Sequence, residues 1–140
     1  MVRKRMTAKR ILCLTSTFPR WVQDSSAPFV LNLIHDLKKL GWQVDALAPH
    51  APGAAIEEVL HDIPTRRFQY FWPPEQQTLC YRSGALINLR KQPSDYLKLP
   101  VFVLAQIAAV LKQLRRKKYD IIHSHWLLPQ GFSGTAGSLF

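Results

Sequence analysis

Cysteine is scarce in these 140 residues: Cys13 and Cys80 are the only two. That excludes a disulfide framework and a thiolate metal centre, and it suits a reducing compartment. Cys13 lies inside the apolar run Ile11 to Leu14 and reads as a small core residue. Long hydrophobic runs are also missing. The longest, Leu99 to Leu111, is too short to span a bilayer and contains Pro100 and Gln106. The basic start followed by Ile11-Leu12-Cys13-Leu14 imitates a signal peptide, but Thr15-Ser16-Thr17 breaks it before a full apolar region forms. The expectation is a soluble cytoplasmic chain, attached at most peripherally to the inner membrane face. Acidic residues are few, 9 against 19 Lys and Arg, for a net charge of +10. Such a surplus favours anionic partners. Gly-x-Gly-x-x-Gly is absent, so there is no dinucleotide fingerprint, and so is Asp-x-Asp.

What remains is ordinary for a globular domain, with hydrophobic residues at 47% and a length of one domain. Arg10 to Ser16 reads as a strand buried on both faces. A loop from Thr17 to Ala27 follows. Val30, Leu33, Ile34 and Leu37 then line one helical face, with Ser25 or Ser26 as cap, Pro28 in the first turn and Gly41 beyond the end. Gln43 to Ala48 is a second strand, which completes a βαβ unit. A third strand is expected over Thr65 to Phe71. Residues 73 to 100 give mixed signals and read as an excursion. A helix from Pro100 to about Lys118 ends in a strongly basic turn, and Asp120-Ile121-Ile122-His123 is a fourth strand. The fold class is α/β, an open parallel Rossmann-like sheet. Four strands and a Gly- and Ser-rich tail leave the sheet with an open edge, so the domain is expected to continue beyond Phe140.

Ligands of open parallel sheets bind at the carboxyl ends of the strands. Two segments fall there. One is the loop with Asp24, Ser25 and Ser26, which leads into a helix N-terminus suited to anions. The other is His123-Ser124-His125-Trp126, whose two histidines share one side of a strand. A zinc site would need a third ligand at suitable spacing, and none is present. The pattern alone leaves two readings open: a core His123 with an exposed His125, or a neutral imidazole that hydrogen-bonds a polar ligand. Arg66, Arg67, Phe68, Tyr70, Phe71 and Trp72 come nearest to the mixed basic and aromatic pattern of a nucleic-acid surface. They match no nucleic-acid motif, and no nucleic-acid partner is expected.

Together, Ile11 to Arg20, Asp24 to Val30, Leu40 to His50 and above all Tyr119 to Gly131 (YDIIHSHWLLPQG) resemble the N-terminal, acceptor-side domain of retaining GT-B glycosyltransferases, the glycosyltransferase family 4 type. The order and spacing match over nearly the whole chain. The resemblance implies sugar transfer with retention from a nucleotide-sugar donor to a hydroxyl acceptor, lipid-linked in some cases, for cell-surface polysaccharide or glycolipid synthesis. It implies no cofactor and no metal. It maps a donor-contacting, catalytic His onto His125, a strand-end structural role onto His123, and substrate-bordering positions onto Asp24, Ser25, Ser26, His123 and Trp126. An anionic membrane surface is a further expected partner. The chain departs from the pattern at Ser25-Ser26-Ala27, where many members have a Gly pair. The donor-gripping domain with its Glu-x7-Glu element has no counterpart in these residues, so this chain alone is expected to be inactive. The runner-up is a non-catalytic acceptor- or membrane-surface-binding module that works with a partner chain.

Overall fold

The computed structural model describes residues 8–81, 85–125 and 137–139, with backbone alone at 85 and 86. Five strands form one sheet: β1 (Arg10–Leu14), β2 (Gln43–Pro49), β3 (Glu57–Leu60), β4 (Ile63–Phe68) and β5 (Ile121–Ser124), in the order β3-β4-β2-β1-β5. β1 pairs in parallel with β2, Ile11 facing Val44, and with β5, Ile11 facing Ile121. β2 pairs in parallel with β4, and only the β3–β4 ladder is antiparallel.

The apolar run of β1 is buried from Ile11 to Leu14 because the sheet is covered on both sides. Ile11 and Cys13 join one core cluster, Leu12 and Leu14 the other. Burial pushes the Cys13 thiol up to about 12. On the first side lies α1 (Pro28–Lys39), which buries Val30 and Ile34. On the second lie α2 (Ala85–Lys91), a 3-10 helix (Pro93–Lys98) and α3 (Leu99–Arg116). The inner stripe of α3 is Phe102, Gln106, Val110 and Gln113.

The strand count differs from the four expected. β3 was not foreseen because Glu57 and Glu58 are poor strand formers, tolerated here on a half-exposed edge. β4 begins and ends earlier than expected, at Ile63 and Phe68. The turn between β3 and β4 places His61 and Asp62 at φ of 49° and 61° without any glycine. Primed hairpin turns need two such residues and usually declare themselves by Asn-Gly or Asp-Gly.

Candidate active site

β1 delivers the chain to the site loop, and the loop is held by its own polar groups. The Thr15 hydroxyl donates to the Thr17 carbonyl at 2.8 Å. Phe18 is fully buried and anchors the bend. Arg20 donates from its backbone N–H at 2.9 Å and from Nε at 2.7 Å to Oδ2 of Asp24. Ser26 donates from its backbone N–H at 3.1 Å and from its hydroxyl at 2.7 Å to Oδ1 of the same carboxylate. Burial works to raise the Asp24 pKa, but the hydrogen bonds from Arg20 and then Ser26 outweigh it, and the carboxyl is held well below the usual carboxylate range. Both Asp24 oxygens are therefore occupied in fixing the loop. Ser25 is exposed.

Neither serine caps α1, contrary to expectation. The N-cap is Ala27, in the left-handed region at φ 50° and ψ 54°, with no side-chain cap. Ser26 turns back to Asp24 instead, a local bond that competes with capping. The carbonyl of Ala27 accepts from the N–H groups of Val30 and Leu31, and Pro28 has no N–H. The Phe29 N–H is thus the donor left open in the first turn of the helix, among the described residues.

Two further elements brace the loop, and little in the local sequence announces them. Arg67 is a fully buried arginine on β4. Its Nη2 donates to the Pro19 carbonyl at 2.7 Å, and its Nη1 donates to the Ala55 carbonyl and to Glu58 Oε1, each at 2.7 Å. Its register with the buried Thr65 and Ile63, two and four residues back, is the available signal that it faces inward. The second brace is the 78–81 segment. The Thr17 hydroxyl donates to the Cys80 carbonyl at 3.3 Å, the Tyr81 hydroxyl donates to the Pro49 carbonyl at 2.9 Å, and the Arg20 guanidinium lies over the Tyr81 ring. No local pattern announced that contact.

β5 brings the histidines to the same end. The His125 N–H donates to the Leu14 carbonyl at 2.9 Å, which extends the parallel ladder one residue past the strand. The His123 and His125 rings are 4.7 Å apart, two residues along the chain from one another at the end of β5. The His125 ring also meets Phe29 of α1, edge-on at 6.1 Å. His125 is half-buried, and its Nε2 is buried with no hydrogen-bond partner among the described residues. Burial and then the neighbouring His123 lower its pKa, which favours the neutral imidazole. His123 is likewise only half-buried, a strand-end rather than a core position. Trp126 lies outside the described residues.

The site thus joins an imidazole whose neutral form is favoured, the open start of α1 and a hydrogen-bonded polar loop at the carboxyl ends of β1 and β5. Asp24, Ser26, His123 and His125 are all placed there. Among the described residues no three His, Cys, Asp or Glu side chains gather as metal ligands.

Among solved structures, the chain is similar to sucrose-phosphate synthase from Thermosynechococcus elongatus at 22% identity and a TM-score of 0.51. The match covers 89% of this chain and 54% of that one, so this chain spans about half the length of the protein it matches. At that identity the likeness shows the fold, the Rossmann-like α/β arrangement of a GT-B N-terminal domain. No curated protein sequence matches significantly. The sequence profile of Glycosyltransferase Family 4 matches residues 27–139, from the N-cap of α1 to past β5. On that match, and with a fold that agrees, the chain belongs to Glycosyltransferase Family 4.

Proposed function

We propose that this chain is the acceptor-side domain of an enzyme that transfers a sugar, with retention, from a nucleotide-sugar donor to a hydroxyl acceptor in cell-surface polysaccharide or glycolipid synthesis. The observation that carries the reading is His125: half-buried, its neutral form favoured, with Nε2 unpartnered among the described residues at the strand ends. In such a transfer the acceptor oxygen bonds to the anomeric carbon, the bond from that carbon to the diphosphate oxygen breaks, and the acceptor proton leaves to the diphosphate or to water. A neutral imidazole can hydrogen-bond a sugar hydroxyl throughout without adding a charge. Asp24 and Ser26 act by holding the loop. The Arg20 cation in this loop is already paired with Asp24 and is not free to neutralise the leaving diphosphate.

The test is transfer from a panel of labelled nucleotide sugars by the intact transferase, with the anomeric configuration of the product read by NMR. His125→Ala should lower turnover on the order of a hundredfold to a thousandfold, about 2.7–4 kcal/mol, with melting unchanged. Near-normal turnover in that variant rejects the role of His125. Failure to transfer from any nucleotide sugar, with acceptor binding intact, turns the reading toward a binding module that works with a partner chain.

A further inference from the structure

Phe29 stands one residue before Val30, off the buried stripe of α1, and is 55% exposed. It joins neither core cluster. A single exposed phenyl adds little to the stability of a fold and by itself calls for no partner. This one has a particular neighbour. Its ring meets the His125 imidazole edge-on, with the two planes at 66°.

The imidazole needs something to aim it. The bond to the Leu14 carbonyl fixes the backbone of His125 but leaves the ring free to turn, and the outer side-chain torsion of histidine is broad. Nε2 has no hydrogen-bond partner among the described residues, so no bond at that atom sets the ring angle. What touches the ring is aromatic: His123, at 69° between planes, and Phe29. His123 belongs to the same strand and moves with it. Phe29 comes from α1, so its contact places the imidazole relative to the helix and the site loop. Edge-on ring pairs favour a restricted set of orientations. The phenyl also excludes water from one side of the imidazole, and burial is the larger cause of the lowered His125 pKa. Phe29 itself has little freedom. Pro28 before it has a fixed φ, Ala27 makes the left-handed turn that starts the helix, and Ser26 is tied to Asp24.

We propose that Phe29 is a positioning residue for His125: its phenyl ring, set at the start of α1 by the site loop, fixes the angle of the imidazole and shields it from water. It acts through the imidazole and not on the reacting atoms. The proposal rests on the part taken by His125 in sugar transfer, while the ring contact itself can be read without any transfer. The closed network of Arg20, Asp24 and Ser26 then has a second effect besides holding the loop, because it leads through Ala27 and Pro28 to the ring that faces His125.

Phe29→Ala and Phe29→Tyr test it, by proton NMR of the His125 ring across a pH titration, by melting, and by steady-state transfer with the intact transferase. Phe29→Ala should shift the His125 ring resonances, because the ring current of the phenyl is lost, and should raise the His125 midpoint toward that of a free imidazole. It should lower kcat about three- to tenfold, the weight of one edge-on aromatic pair, with KM for the nucleotide sugar and melting nearly unchanged. Phe29→Tyr should keep the resonances, the midpoint and kcat close to their normal values. A His125 midpoint that Phe29→Ala leaves in place overturns the proposal. So does a rise in KM with kcat unchanged, which would make Phe29 a substrate-binding group. Normal kcat in Phe29→Ala, with turnover abolished in His125→Ala, overturns the positioning role and leaves the role of His125 standing. Normal turnover in His125→Ala rejects that role, and the positioning role falls with it.

Discussion

On one side of the sheet, among the described residues, the 12-residue helix α1 covers an aliphatic layer of Ile11, Val44, Ala46 and Ile63, and its outer face carries Asp36, Lys38 and Lys39. On the other side α2, the 3-10 helix and α3 cover a layer rich in aromatic rings. Tyr70 and Phe102 sit at 4.8 Å, Phe68 and Phe102 at 5.5 Å. Both sides meet the demand of the sheet for cover. They differ in what they hold and in what they show to water. The α1 side reaches through Arg67 to the site loop and finishes in a polar surface, while the α3 side finishes in an apolar one, with Val101 and Leu104 exposed. Burying a core requires only the inner stripe of a helix. An apolar outer stripe is a separate feature with a separate cause.

Two neighbours on β4 offer the sharpest way to break this comparison, because they point to opposite sides. Arg67→Met should destabilise the chain by about 3–5 kcal/mol, since it leaves the Pro19 and Ala55 carbonyls without their donor and removes a buried charge from its partner. Arg66→Met should cost at most about 1 kcal/mol, because its partner Glu57 is largely exposed. Denaturant titrations read both. Equal losses would mean that Arg67 does not tie the loop to the sheet.

The two sides of α3 make the next contrast. Phe102→Ala should cost about 3–5 kcal/mol through the cavity it leaves among Phe68 and Tyr70, whereas Leu104→Ala should change stability by no more than about 0.5 kcal/mol. A large loss at Leu104 would show that the outer stripe is already covered.

Much of this was legible beforehand, and the misses have physical causes. The apolar runs of β1 and β2, the amphipathic α1 and the His-x-His segment of β5 are local patterns, and they were found where the structure has them to within a few residues. The braces of the site are not local. Asp24 reads from the sequence as a substrate-bordering residue, and spacing does not reveal that its carboxylate also holds the loop through Arg20 and Ser26. Arg67 stands beside Arg66 in a mixed basic and aromatic run, and only its partners 9 to 48 residues away give it a role. Tyr81 joined the site through Pro49, from a segment without a clear period.

The smallest effects concern protons on the α1 side. The Asp24 carboxyl titrates lower when folded than unfolded, so it contributes stability that is present above about pH 4 and is lost as pH falls through the folded value. Melting temperature should decline on acidification, and Asp24→Asn should flatten that decline. His125 is also depressed. Its neutral form is favoured by folding, which costs stability once pH drops below about 6.5, where the unfolded chain takes up the proton first. An NMR titration should place the His125 midpoint below that of a free imidazole, and His123→Ala should move it up by removing the neighbouring ring. A midpoint unmoved by His123→Ala would leave burial as the whole cause.

The position of β5 bears on how the chain is made. β1 sits between β2 and β5, and its two partners lie at very different distances along the chain: Arg10 meets Gln43 across 33 residues and Asp120 across 110. Closing the longer loop costs about 1 kcal/mol more in chain entropy. The ribosome also releases β2 long before β5. Until β5 emerges, β1 therefore carries a bare edge of backbone donors and acceptors, a stage at which a nascent chain meets chaperones or its own copies. The strand that brings in His125 also covers the edge of β1, so the site forms at the same step that pairs it.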